Sequence, residues 1–200
     1  KKKLTELEMN KLVEKLGLSK TEDPLPGDGD SPEEPPAFSG EITLNPSLDK
    51  AGELLAKQPT LDFLLRFEKG EICSLILCAG EELLVYNYDV LRAFDKLVCQ
   101  SPAPKRTADA KAAYRLALEN DLPLDNIVFD SELAGYLLDS GGKEYSLATL
   151  QKQYLPQQKA PEEYGEERLF PLLCGQMQRE LDAKDLTKLL TDIEIPFCRV

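Results

Sequence analysis

The sequence contains no histidine. Imidazole is therefore excluded as general base, general acid or metal ligand, and any catalysis would run on carboxylate, Lys, Tyr, Ser or Cys. Positive charge is also scarce: 24 Lys and Arg stand against 36 Asp and Glu, a formal net charge of −12. Phosphate backbones are held largely by Lys and Arg displacing counterions. The chain by itself is thus expected to bind DNA or RNA weakly or not at all. There is no Gly-rich phosphate loop, zinc-ligand spacing or internal repeat. None of the cysteines (Cys73, Cys78, Cys99, Cys174 and Cys198) forms a C-x-x-C pair. They read as reduced, buried thiols of a cytosolic protein rather than a metal or redox site. Cys73 and Cys78, five apart on an expected strand, should point to opposite faces. A signal-peptide pattern is absent, and no apolar run approaches the roughly 18 residues a membrane span needs. A cytoplasmic monomer with no membrane contact is expected.

What is present is 42% hydrophobic residues in a 200-residue chain, enough for one domain with a core and a tail. Residues 4–18, "LTELEMNKLVEKLGL", carry apolar side chains at helical spacing and end beside Gly17. The opening "KKK" at a helix edge looks cut from something longer. Residues 19–41 are rich in Pro, Gly and acid, with seven acids and no Lys or Arg from Thr21 to Glu41. They read as a solvated, flexible linker. "EITLN" predicts a short strand, and "SLDKAGELLAKQ" a helix capped by Ser47. Strands follow at 60–67, 71–78 and 82–87, joined by connections short enough to imply an antiparallel meander. The 60–67 strand is apolar almost throughout, as suits a central strand covered on both faces.

From residue 88 the pattern is mainly helical. "YDVLRAFDKLVCQ" and "TADAKAAYRLALEN" are amphipathic, with "SPAPKR" between them read as a loop. "VFD" leads into "SELAGYLLD", whose N-cap position falls to Asp130, and Ser146 caps "SLATLQKQYL". A long helix is expected over about 166–181 with Pro171 in its first turns, and a last helix from Ala183 to "IEIP". A strand meander followed by helices indicates a mixed α/β or α+β class.

Three segments carry a family resemblance. "NIVFDSELAGYLLDSGGKEYSLATLQKQYL" (126–155) resembles the φ-F-D-T-x-L-A-x-Y-L-L stretch of bacterial DNA polymerase I, a family A polymerase. "LLTDIEIPFCRV" (189–200) is similar to the joint leading into that family's polymerase domain, and 4–18 to the end of its 5′-nuclease region. The resemblance implies a division into 1–18, the end of the preceding nuclease region; 19–41, linker; 42–188, a 3′–5′ exonuclease-like domain; and 189–200, the joint. It implies a ribonuclease H-like fold, a mixed sheet flanked by helices.

Active members of that family hold two divalent metals on carboxylates from three places. The resemblance puts those places at Leu64 and Arg66, at Ala113, and at Leu173, none of them acidic. Asp109 stands where the family has Asn, and Lys111 keeps the basic character of that segment. The implied role is a degenerate, catalytically inactive exonuclease-like module of a DNA-directed DNA polymerase. No metal or cofactor is expected for this chain, with Mg²⁺ belonging to the parent polymerase. The expected partners are the polymerase domain of the same chain and, through the full-length protein, DNA. One alternative is an active metal-dependent exonuclease using Asp62, Asp109 and Asp130. Another is an interaction module working through the acidic segment 21–41. For Asp130 and Asp109 the simpler reading is helix capping. Tyr136, Tyr145 and Tyr154 read as core or half-buried packing, and Lys105 with Arg106 as a weak basic surface spot.

Overall fold

The computed structural model describes residues 40–199. The helix expected at 4–18 and the linker to residue 39 lie outside the described residues. Strand β1 (Ile42–Leu44) leads to helix α1 (Leu48–Leu55), whose N-cap Ser47 accepts from the Lys50 amide at 3.4 Å. The meander is β2 (Leu61–Glu68), β3 (Glu71–Ala79) and β4 (Glu82–Tyr86). Its two-residue turns carry the backbone signs hairpins need. Lys69 and Gly70 both have positive φ, and at the second turn Gly80 does.

Helix α2 (Val90–Ala93) continues as a π-helical segment, Phe94–Cys99. Next come β5 (Lys105–Thr107), α3 (Ala110–Glu119), β6 (Ile127–Asp130), α4 (Ser131–Leu138) and α5 (Leu147–Tyr154). The long α6 spans Gly165–Ala183. Beyond it lie α7 (Thr187–Leu189), a π segment Leu190–Glu194 and α8 (Ile195–Phe197).

The six strands form one sheet in the order β1-β4-β3-β2-β5-β6. The meander pairs are antiparallel, whereas β1 on β4, β5 on β2 and β6 on β5 are parallel. Strand β2 is thus central, and its first four residues are buried. The core joins both sheet faces to the helices through Phe63, Leu75, Leu84, Phe94, Phe170 and Met177, each essentially inaccessible. No helix among the described residues is long and apolar enough to cross a membrane.

Four expectations are corrected. "SPAPKR" is not all loop: its last two residues open β5, which Leu61 and Lys105 stitch in through bonds to the Pro104 and Asn126 carbonyls, each 2.8 Å. Parallel pairing to β2 and β6 overrides the local loop signal. The helix expected from Ala183 begins instead at Thr187. There α6 ends in a Schellman turn: Asp185 has φ 57°, and the Leu186 amide reaches back to the Leu181 carbonyl at 2.9 Å. Ser146 holds the N-cap position of α5, but its hydroxyl bonds the Thr149 hydroxyl at 3.1 Å rather than a backbone amide. Finally, β2 and β3 slip register, Arg66 pairing with Ser74 and Phe67 with Ile72. Cys73 is the extra residue of that bulge, so counting alternate faces from Cys73 to Cys78 does not hold.

Candidate functional site

The strand β2 runs along a cleft of about 310 Å³ walled by the starts of α3, α4 and α6. Leu64 and Arg66 line it, together with carboxylates of Asp109, Glu132, Glu166 and Glu167. Arg66 is the cation of the cleft. Its guanidinium pairs with Glu167, the Nε–H donating at 3.0 Å, and lies over the Tyr164 ring 5.1 Å from the centroid. Glu167 is buried and Arg66 half open to solvent, so the pair closes one wall with its charges matched.

The other residues that sequence comparison places at ligand positions are buried. Leu64, Ala113 and Leu173 belong to the hydrophobic core, Ala113 and Leu173 with no exposed surface. Small and aliphatic side chains fill this volume by ordinary close packing.

Asp62, Asp109 and Asp130 are each engaged by donors of the domain. Asp62 is bound by both arms of Arg106, Nε–H to Oδ1 and Nη2–H to Oδ2, each at 2.6 Å. This fork joins the parallel strands β2 and β5 at a place that is almost dry. Asp109 caps α3, accepting from Ala112 at 2.8 Å. Asp130 caps α4 through Leu133 at 2.9 Å, and its second oxygen accepts from Ala110 at 2.6 Å, so one carboxyl serves two helix starts. Burial pushes Asp130 up to about 7, against the pull of those two amides. Desolvation at the cleft wall, reinforced by Asp109, also raises Glu132 to about 7. Among the described residues, no three Cys, Asp or Glu converge closely enough to hold a metal ion.

Lys105 and Arg106 do not form a surface spot. Lys105 is fully buried, its ammonium donating to the Ser101 and Ala103 carbonyls at 2.6 and 3.2 Å with Asp125 at 3.6 Å. Of the tyrosines, Tyr145 and Tyr154 are half-buried, but Tyr136 is 49% exposed and edge-on to Tyr145 at 6.1 Å.

Sequence reasoning missed Glu167 and its dual part. Pro171 has no N–H, so the Glu167 carbonyl four residues back lacks its helical donor. The Cys78 thiol of β3 donates to it at 3.6 Å, and burial raises Cys78 far above the ordinary thiol value. The signal was available: a proline inside a helix marks an orphan carbonyl. Cys78, Cys99 and Cys174 are buried free thiols, and Cys73 and Cys198 are half-buried ones.

No protein-family model and no curated protein matches the chain. Solved structures do match in shape. The POL domain of M. smegmatis Pol1, in complex with DNA primer-template and dNTP, superposes with a TM-score of 0.66 at 19% identity. That match takes in 80% of this chain and 30% of that one, so the present chain spans under a third of that polymerase. Trypanosoma brucei RNase D gives 0.59 at 13% identity over 82% of this chain and 74% of its own. Brucella melitensis NrnC bound to pGG gives 0.57 at 11%, over 80% and 88%. The described domain therefore has a ribonuclease H-like, exonuclease-like mixed α/β fold.

Proposed function

We propose that this chain is a catalytically inactive exonuclease-like module of a family A DNA polymerase. In this reading it acts as a folded spacer supporting the polymerase domain of the same polypeptide. The observation that carries the reading is the content of the cleft: Leu64, Ala113 and Leu173 are packed into the core, and Arg66 is paired with Glu167. A guanidinium at a ligand position repels a divalent cation directly. The residues present therefore do not fit Mg²⁺. The M. smegmatis likeness supports the polymerase setting through shape, and the matches at 126–155 and 189–200 support it through sequence. Against a nuclease working through Asp62, Asp109 and Asp130 stands their engagement, one held in a guanidinium fork and two as helix caps.

The test is 3′-end digestion of labelled single-stranded DNA by the purified chain with Mg²⁺ or Mn²⁺ and a chelator control. No metal-dependent digestion is expected. Digestion that disappears with chelator overturns the reading and makes Asp62, Asp109 and Asp130 the first residues to replace.

A further inference from the structure

A second concavity, of about 460 Å³, lies between α3 and the chain segment after α8, and shares Asp109 and Ala112 at the start of α3 with the cleft of β2. Its apolar part is formed by Leu118, Leu122 and Leu124. Leu118 is 76% exposed. Its cationic part is Lys111, Arg115 and Arg199. Against these three stand Asp109 of the groove, whose carboxylate caps α3, and Glu119, 3.9 Å from Arg115 in an exposed pair that water screens. In a chain of net charge −12 this is a local reversal of sign beside an open apolar face.

Tyr114 adds a further observation. Its side chain is more than nine-tenths buried in the same groove, and its hydroxyl has no partner among the described residues. That hydroxyl is shielded from solvent, so the tyrosine contributes a fixed ring wall to the groove and no donor to a ligand. The Arg199 guanidinium lies over the Tyr114 ring, 4.9 Å from its centroid.

We infer that this groove is a docking surface for an acidic peptide segment with apolar anchors. The leucines take the anchors, and Lys111 and Arg115 face its carboxylates. Single-stranded nucleic acid fits less well. The one aromatic face is already occupied by Arg199, so no base can stack on it, and the acidic body of the protein repels a polyphosphate. A short peptide with a few carboxylates needs no stacking face and carries less charge than a polyphosphate of equal length, so the same repulsion acts on it more weakly. This inference does not rest on the inactive-module reading, because an active nuclease of the same fold would present the same groove.

The experiment pans the full chain against a displayed library of random short peptides and synthesises the enriched sequences. Their binding is measured by fluorescence anisotropy at low and high salt. Enriched peptides should combine Asp or Glu with Leu, Phe or Ile, and should weaken at high salt as screened pairs do. Leu118→Asp should weaken binding about tenfold or more, the loss expected of a central apolar anchor. The Lys111→Glu, Arg115→Glu double variant should do the same. Both change exposed side chains, and a melting curve matching the parent confirms that each variant is folded. No enrichment, equal binding to both variants, or displacement of the peptide by an unrelated single-stranded DNA of equal length overturns the proposal. Self-association that Leu118→Asp abolishes overturns it too, in favour of a second copy as the occupant.

Discussion

Removing the guanidinium from the Asp62–Arg106 fork should be among the most damaging single changes in the domain. Asp62 is buried on β2 and Arg106 about four-fifths buried on β5, and both hydrogen bonds are 2.6 Å. Arg106→Met leaves a carboxylate without its donors in a nearly dry place. Breaking a buried pair from one side costs about 3–5 kcal/mol, and the partial exposure of Arg106 puts this case near 3. With a urea slope of about 2 kcal/mol per M for a domain of this size, the midpoint should fall by about 1.5 M at unchanged slope. Asp62→Leu combined with Arg106→Met removes both charges and should recover most of the loss, to within about 1 kcal/mol of the parent. Urea titrations followed by far-UV circular dichroism decide it. A midpoint shift below about 0.5 M for Arg106→Met, or a double variant no better than the single, would refute the reasoning.

Two further outcomes are expected. Asp130 is raised from 3.8 to about 7 in the fold, so the folded state holds its proton where the unfolded chain has released it. The associated stability is fully present below pH 3.8 and is lost as pH rises to about 7. Each pH unit in that window is worth about 1.4 kcal/mol, so Asp130 alone should lower stability by about 2–3 kcal/mol between pH 5 and pH 8, and Glu132, raised over the same range, adds to the fall. Asp130→Asn should flatten the curve, and an unchanged slope in that variant would refute the assignment. Separately, Ala113→Asp places a carboxyl at a site with no exposed surface. It should cost at least about 3 kcal/mol, read as a lowered melting temperature, and melting equal to the parent would contradict the closed core described at that position.

The meander and the helix starts were legible because their signals are local. Apolar runs joined by short connections fix β2, β3 and β4, and a cap followed by helical spacing fixes α1, α3 and α4. Strand β5 was not legible: three residues with two cations carry no strand pattern of their own, and only the parallel neighbours β2 and β6 define them. The same distance effect hid the site's charges. Asp62 in an apolar strand implies a cation nearby, but nothing in the order of residues says that it is Arg106, 44 positions away. Arg66 could be read as an intruder in the ligand pattern, whereas its partner Glu167 lies 101 positions on, in the first turn of α6. The break after α6 rests on Asp185 adopting the left-handed conformation, which a non-glycine residue signals only weakly.

The order of strands has a consequence for how the domain is assembled in time. The meander pairs neighbours in sequence across two-residue turns, so its loop-closure entropy is small and it can form early. Strands β1, β5 and β6 must each join in parallel across a long excursion of chain, which places them late. The Asp62–Arg106 fork, lying on the β2–β5 seam, is then absent at the rate-limiting barrier and present only after it. Its loss should appear chiefly as faster unfolding, with the folding rate little changed. In kinetic terms the fork is a latch on the finished sheet.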